Sequence, residues 1–150
     1  MSTTSSTASL PTPSTASAAR TRAFARVIGP WLVIVPALVM LRGPEMGTIA
    51  AAFFSNPALV WFAGGLMLFG GLLIIALHPY WSGLAAIIIS AFGWLLVLRA
   101  IAVLAMPTMF EHAAMASAGA VTPVRLIFGL LVVAGLYLTY VGWLARPATD

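Results

Sequence analysis

The chain has 150 residues, of which 62% are hydrophobic and only 7% are charged, with a formal net charge of +4. Soluble domains carry roughly 25% charged residues, so this composition excludes an ordinary soluble globular protein. Cysteine is absent, which excludes disulfides, thiolate nucleophiles and Cys-ligated metals. The chain has few ionisable groups of either sign, and its net positive charge does not indicate a basic patch. We therefore expect no nucleic-acid partner.

The first 23 residues are dominated by Ser, Thr, Ala and Pro. Such a segment buries too little apolar surface to offset its ordering entropy, so we predict a disordered tail over residues 1–23. Arg20, Arg22 and Arg26 stand directly before or in the first apolar stretch, which favours a cytoplasmic N-terminus. An organellar transit peptide is the alternative interpretation, whereas a signal peptide lacks a nearby A-x-A cleavage site.

Four apolar stretches fill most of the remaining chain, residues 24–146. They are continuous rather than alternating, and each is close to the 20 or so residues that a helix needs to cross a bilayer. Backbone polar groups must be paired in lipid, so the spans must be helices. The sequence predicts an all-α integral membrane bundle of four transmembrane helices over residues 24–41, 58–77, 82–106 and 123–144.

Helix boundaries are marked by capping residues and prolines. Asn56-Pro57 and Thr122-Pro123 each place a capping side chain before a first-turn proline, and Ser82 is suited to cap the third span. Stop signals follow the four spans at Gly43-Pro44, His78-Pro79, Pro107 and Pro147.

The two outer connections are themselves partly apolar. Residues 46–55 and 108–120 are each compatible with a short interfacial helix. Such helices would pack against lipid or dock against a partner.

Small residues recur at helical spacing on three of the spans. They lie on the second span (Gly64, Gly71), the third (Ser90, Gly93) and the fourth (Gly135, Thr139, Gly142). Small side chains let helix backbones approach closely in membranes. We predict that these residues pack the four helices together, with a homodimer seam as the alternative.

A weak internal repeat has a period of 64 residues. Gly29, Gly65 and Gly71 recur as Gly93, Gly129 and Gly135. Each half would be one helical hairpin starting from the cytoplasm, which makes a parallel rather than an inverted repeat.

Four residues are candidates for function or partner contact: Arg99, His78, Trp81 and Trp94. Arg99 lies about 25 Å along the third span from its start, so we expect it to snorkel to the outer interface or to pair with Glu111. Trp94 falls near mid-membrane, where we expect it to pack between helices. A single histidine at His78 makes no metal site, and no cofactor is predicted.

Acidic residues are too few and too peripheral for proton-coupled transport. The three acids, Glu45, Glu111 and Asp150, all lie outside the centres of the spans. A pump or small multidrug exporter normally needs a membrane-embedded carboxylate.

The stretch His78-Pro79-Tyr80-Trp81, followed by Gly93-Trp94, Arg99 and Pro107, resembles small bacterial four-helix inner-membrane proteins. Those proteins carry His-Asn-x-Trp, Gly-Trp, Lys-Gly and a closing Pro. Here Pro79 replaces the Asn, and Arg99-Ala100 replaces Lys-Gly. The resemblance extends back to Arg26, Gly29 and Asn56-Pro57-Ala58. It implies the fold and the bacterial inner membrane, but no activity.

These patterns predict a non-enzymatic protein of the bacterial inner membrane with both termini in the cytoplasm. Its partners would be the lipid bilayer and itself or other membrane proteins. The first hypothesis is an accessory or assembly subunit of a larger membrane complex. The alternatives are a small oligomeric transporter or channel subunit, whose lumen only Ser90, Tyr137, Thr139 and Tyr140 could line, and a quinone- or lipid-binding protein using His78, Trp81 and Arg99.

Overall fold

The computed structural model describes residues 13–119 and 121–145. Throughout those ranges the regular structure is helical, without a strand, which confirms the all-α prediction. The helices are α1 (Pro13–Leu41), α2 (Met46–Phe54), α3 (Pro57–Leu77), α4 (Leu84–Ala105), α5 (Pro107–Gly119) and α6 (Val121–Thr139). A 3₁₀ turn, Gly43–Glu45, precedes α2, and a π-helical turn, Tyr140–Leu144, continues α6.

Four helical segments are long and apolar enough to cross a bilayer, which makes the chain a multi-pass membrane protein. They are Thr15–Leu41, Pro57–Leu77, Leu84–Ala105 and Thr122–Leu144. Each has at least 21 residues, and a hydrocarbon core of about 30 Å needs about 20. The second, third and fourth spans agree with their predicted bounds to within two residues.

The first span begins much earlier than predicted. The expected disordered tail over residues 1–23 is wrong from Pro13 onward, where α1 starts, and its remainder lies outside the described residues. Proline is tolerated in a first helical turn, and alanine, the best helix former, follows at Ala16, Ala18, Ala19 and Ala23. The segment also has a packing partner, because Thr21 bonds to His78. Composition alone gave no sign of that contact.

Helix starts were predicted with mixed success. Asn56 caps α3 as expected, since Leu59 N donates to Asn56 Oδ1 at 3.2 Å. Ser82 does not cap α4: the N-cap is Gly83, whose φ of 91° suits glycine. Thr122 is not a cap either, because α6 is already helical at Val121. The predicted stop at Pro147 lies outside the described residues.

The short helices α2 and α5 confirm the helical prediction for the two outer connections. α2 joins α1 to α3, and α5 joins α4 to α6. The two pack against each other, so they form one layer at the end of the bundle opposite the connection between α3 and α4.

The first and last spans form one close pair, α1 with α6. Gly135 lies directly on the backbone of α1: a Cβ added there would be 2.8 Å from Val33 N and 2.9 Å from Gly29 O. A larger side chain would therefore push the helices apart, which is the reason that small residues serve at such crossings.

The second and third spans form the other close pair, α3 with α4, through the same contact. A Cβ added at Gly71 would be 2.9 Å from Val97 N and 3.0 Å from Gly93 O. Each of these three residues stands 64 positions from its counterpart in the first pair, Gly135, Val33 and Gly29. The two pairs are thus one packing arrangement that occurs twice.

The repeat has an interleaved topology. One half is α1–α2–α3 and the other is α4–α5–α6, yet the close pairs join α1 to α6 and α3 to α4 across the halves. Contacts between α1 and α4 and between α2 and α5 join equivalent elements. This contact pattern is the one expected of two parallel hairpins that pack against each other in equivalent positions.

The other predicted packing residues also lie at helix crossings. Gly64 faces Leu104, Gly93 faces Ile74, and Gly142 faces the backbone of Arg26. The Thr139 hydroxyl lies beside Gly29, and Ser90 is buried. The small-residue stripes therefore pack the interior of this chain.

Candidate functional site

His78 lies directly after α3, at the end of the bundle where α3 connects to α4. Because Pro79 disfavours helical backbone in the residue before it, His78 leaves the helix with φ −130° and ψ 68°. Its N–H still donates to Ile74 O at 2.8 Å. The side chain turns inward and is only 1% exposed.

Both ring nitrogens of His78 are hydrogen-bonded. Nδ1 lies 3.1 Å from Ser90 Oγ, and Nε2 lies 3.0 Å from Thr21 Oγ1. The one hydroxyl hydrogen of Ser90 is directed to the carbonyl of Tyr80, 2.7 Å away, or to that of His78, 3.2 Å away. Ser90 Oγ therefore accepts from Nδ1–H, which leaves Nε2 of the neutral ring to accept from the Thr21 hydroxyl.

The surroundings of the ring favour this neutral form. Phe24 and Tyr80 pack edge-on, with ring centroids 5.5 and 5.4 Å from that of His78. Burial lowers the pKa of His78, and its backbone hydrogen bond only partly offsets that effect. The neutral His78 side chain thus connects the end of α3 to α1 and α4 through hydrogen bonds to Thr21 and Ser90. Within the described residues, no group of three or more His, Asp or Glu side chains is placed to hold a metal.

Arg26 forms a second junction at the same end of the bundle. Its Nε donates to Gly142 O in the π-helical turn at 2.8 Å. Pro30 has no N–H, so the Arg26 carbonyl four residues earlier lacks its helical donor. Trp143 Nε1 donates to that carbonyl at 3.3 Å, and the Arg26 guanidinium lies 5.8 Å from the Trp143 ring centroid. Arg26, predicted only to set topology, therefore also ties α1 to α6.

The two junctions are equivalent under the repeat. Ser90 Oγ contacts the carbonyl of His78, as Arg26 Nε contacts the carbonyl of Gly142. Adding 64 to Arg26 gives Ser90, and adding 64 to His78 gives Gly142. In each junction, a side chain of one helix donates a hydrogen bond to a carbonyl at the C-terminus of the helix that it packs against.

A groove of about 320 Å³, lined by both polar and apolar residues, opens beside the His78 junction, between α1, α6 and the start of α4. Its polar wall includes Arg22, Tyr80, Ser82 and Tyr137. Arg22 is half-buried, and the ion pair found among the described residues, Arg42–Glu45, does not involve it.

A second groove, of about 430 Å³, is almost wholly apolar and faces the lipid between α1 and α3. Trp31, Met67 and Phe92 are among its lining residues. It contains none of His78, Trp81 and Arg99, the residues expected to serve a quinone or lipid site.

Arg99 stands apart from His78. It lies nine residues beyond Ser90 on α4, which is about 13 Å along the helix axis. Its side chain is exposed, with the guanidinium 5.7 Å from the Phe110 ring centroid. The alternative of an ion pair with Glu111 is not found in the described part of the chain, because α5 presents the neighbouring Phe110 instead.

The two candidate tryptophans both face outward. Trp81 is exposed in the connection before α4, at the interface. Trp94 was expected to pack between helices, and that expectation is wrong: 48% of the residue is exposed on α4. The third span turns Gly93, not Trp94, toward α3, since the close approach of the backbones leaves no room there for an indole.

Sequence reasoning missed the partners of the junctions. Thr21 was assigned to a disordered tail, and Ser90 was assigned to packing alone. Tyr137 and Arg22 gave no pattern that placed them at one groove. Pro30 was a signal for the Arg26 junction, because an interior proline leaves a backbone carbonyl that another donor must satisfy.

No known family, no curated protein and no solved structure matches the chain. The fold and the site therefore define a class, a multi-pass α-helical membrane protein, and the role has to be argued from the geometry.

Proposed function

We propose that the protein is a non-enzymatic accessory or assembly subunit of a larger complex in the bacterial inner membrane. The observation that carries this proposal is the outward-facing indole of Trp94. The Trp94 side chain does not pack inside the bundle. Exposing its N–H to lipid hydrocarbon without an acceptor would cost free energy.

Trp94 lies near the middle of the third span. It stands ten residues from Leu84 and eleven from Ala105, or about 15 Å from either end of α4. No described residue accepts a hydrogen bond from its indole N–H. An unpaired polar hydrogen in hydrocarbon costs on the order of a few kcal/mol. A neighbouring helix that offers an acceptor would remove this cost.

The exposed face around Trp94 favours a different protein over a second copy. Its outward neighbours on α4 include Ile87, Leu98 and Ile101, which offer no side-chain acceptor. Indole is a donor only, so a symmetric contact of Trp94 with itself leaves both hydrogens unpaired. A transmembrane helix with a hydroxyl or a free carbonyl at mid-depth fits the face better.

The cellular location is part of the same proposal. The pattern His78, Trp81 and Gly93-Trp94 supports kinship with small bacterial inner-membrane proteins. Arg20, Arg22 and Arg26 on the first span support cytoplasmic termini by the positive-inside rule.

The transporter alternative has less support. Of its proposed lumen residues, Ser90 is bonded to the His78 junction, and the Thr139 hydroxyl donates to Gly135 O at 2.8 Å. Hydroxyls that already hydrogen-bond inside the bundle contribute little to the lining of a polar lumen.

A photo-crosslinking amino acid at position 94 tests the proposal in cells that make the protein naturally. The matched control is position 133, because Val133 is exposed at similar depth on α6. We expect position 94, and not 133, to crosslink to a transmembrane segment of another membrane protein. Adducts only with lipid or with a second copy would overturn the proposal.

Native electrophoresis supplies the second measurement. We expect the wild-type chain to migrate in a larger complex and Trp94→Phe, which keeps an aromatic ring but loses the N–H, to migrate largely alone. Trp61→Phe is the control, since Trp61 is an exposed tryptophan near the start of α3, and this variant should stay in the complex. A wild-type chain that migrates alone would also refute the accessory role.

A further inference from the structure

We propose that the groove of about 320 Å³ between α1, α6 and the start of α4 binds a phosphate group, that of an anionic phospholipid headgroup. The proposal does not depend on the accessory role, because Trp94 and this groove lie at different depths and use different residues.

The first argument is charge. The chain has three acidic residues: Glu45 pairs with Arg42, Glu111 lies on α5, and Asp150 is outside the described residues. Glu45 and Glu111 belong to the end of the bundle that α2 and α5 cover. No described carboxylate therefore neutralises the arginines at the other end.

The second argument is the state of each arginine there. Arg26 Nε donates to Gly142 O, and Arg20 is exposed. Arg22 is half-buried in the groove wall, and no carboxylate of the described residues pairs with its guanidinium. Guanidinium binds phosphate oxygens in a two-point geometry, so a phosphate is a ligand that Arg22 is suited to bind.

The third argument is shape and depth. Tyr80, Ser82 and Tyr137, three residues that carry hydroxyls, line the groove together with Arg22, and Leu84 and Val141 are among its apolar lining residues. Leu84 is the first residue of its span, so the groove sits at headgroup depth. Its volume of about 320 Å³ is at the small end for ligand sites, which run from about 300 to 1,000 Å³. That space admits a headgroup, and basic pockets between transmembrane helices take such headgroups.

Native mass spectrometry of the full chain with short-chain phosphatidylglycerol tests the site. We expect Arg22→Gln to weaken binding about fivefold or more, since one arginine near an anionic headgroup contributes about 1 kcal/mol. Arg20→Gln, the matched control, makes the same charge change two residues away outside the groove and should bind almost as the wild type. Ser82→Phe, which fills the groove and changes no charge, should also lose the lipid.

Two further ligands distinguish the source of the phosphate. Phosphatidylcholine should bind more weakly than phosphatidylglycerol, and inorganic phosphate should bind more weakly still, because neither offers both the net charge and the chains. Inorganic phosphate that binds as well as phosphatidylglycerol would remove the lipid as the source. Equal loss with Arg20→Gln and Arg22→Gln, or unchanged binding to both Arg22→Gln and Ser82→Phe, would overturn the site itself.

Discussion

His78 shows how one polar residue can join three segments of an apolar chain. Its ring donates to Ser90 and accepts from Thr21, so helices that have few polar contacts with each other share one buried hydrogen-bonded unit. The neutral ring fits this unit best, because a charged imidazolium would have two donors and no carboxylate of the described residues beside it. We therefore expect the stability of the His78 junction to depend on pH.

Acidification should destabilise the fold through His78. The folded-state pKa of this residue is lowered, so the unfolded chain binds more protons as the pH falls below about 6.5, and stability decreases. The stabilisation is complete above that pH and is lost toward the lower folded-state value. We expect a lower midpoint of thermal unfolding in detergent at pH 5.5 than at pH 7.5.

The same measurement on two variants assigns the effect. His78→Gln should abolish the difference between the two pH values, while His112→Gln, which changes the only other histidine, should keep it. A difference that survives in His78→Gln would contradict the assignment.

Arg99 should tolerate changes that keep or remove its charge. Its side chain is exposed and its described contact is the Phe110 ring, which contributes about 0.5–1 kcal/mol at such sites. Arg99→Lys and Arg99→Leu should both insert and unfold within about 1 kcal/mol of the wild type, measured by denaturant titration in detergent. A variant Arg99→Lys that folds normally but loses a cellular phenotype would instead indicate a specific guanidinium contact.

At the scale of helices, the length of each apolar stretch predicted the spans reliably. Capping residues did not predict every helix start, since Ser82 and Thr122 do not cap helices. The second to fourth spans were predictable because lipid requires about 20 apolar residues and paired backbone groups. The start of α1 was not, because residues 13–23 gain their order from Thr21 and Phe24 packing on a histidine 57 positions away from Thr21. Contacts between residues so far apart in the chain produce no local pattern in the sequence.

The glycine face of α6 gives a direct test of the close packing. Gly135→Leu should destabilise the protein by about 1–3 kcal/mol or more, because its Cβ would meet the backbone of α1 and not a movable side chain. Gly129→Leu is the control on the same helix, since nothing lies within 4 Å of a Cβ there. It should stay within about 0.5 kcal/mol. Equal stability of both variants in detergent unfolding would refute the packing.

The repeat extends this expectation to the other helix pair. Gly71→Leu should cost about as much as Gly135→Leu, since both meet equivalent backbone atoms. Gly64→Leu should cost less, because the atoms in its way belong to the Leu104 side chain, which has room to rotate.

For the whole molecule, the predicted orientation has both termini and the connection between α3 and α4 in the cytoplasm. The absence of native cysteine allows single cysteines to report the side of each end. Ser117→Cys on α5 should react with a membrane-impermeant maleimide in intact cells, and Ser82→Cys should react only after the membrane is opened. Both serines are exposed. The reverse labelling would invert the topology.

The interleaved pairing of the helices has a consequence for synthesis at the ribosome. α1 leaves the ribosome first, but its partner α6 leaves last, and the contact between Arg26 and Gly142 spans 116 residues. At about 5–20 residues per second, α1 spends roughly 6–23 s in the membrane before its partner is available. During that time the α6-contacting face of α1 around Gly29 and the Arg26 carbonyl freed by Pro30 have no partner from α6. We therefore expect the first helix to be the segment of this chain that depends most on an insertase or membrane chaperone.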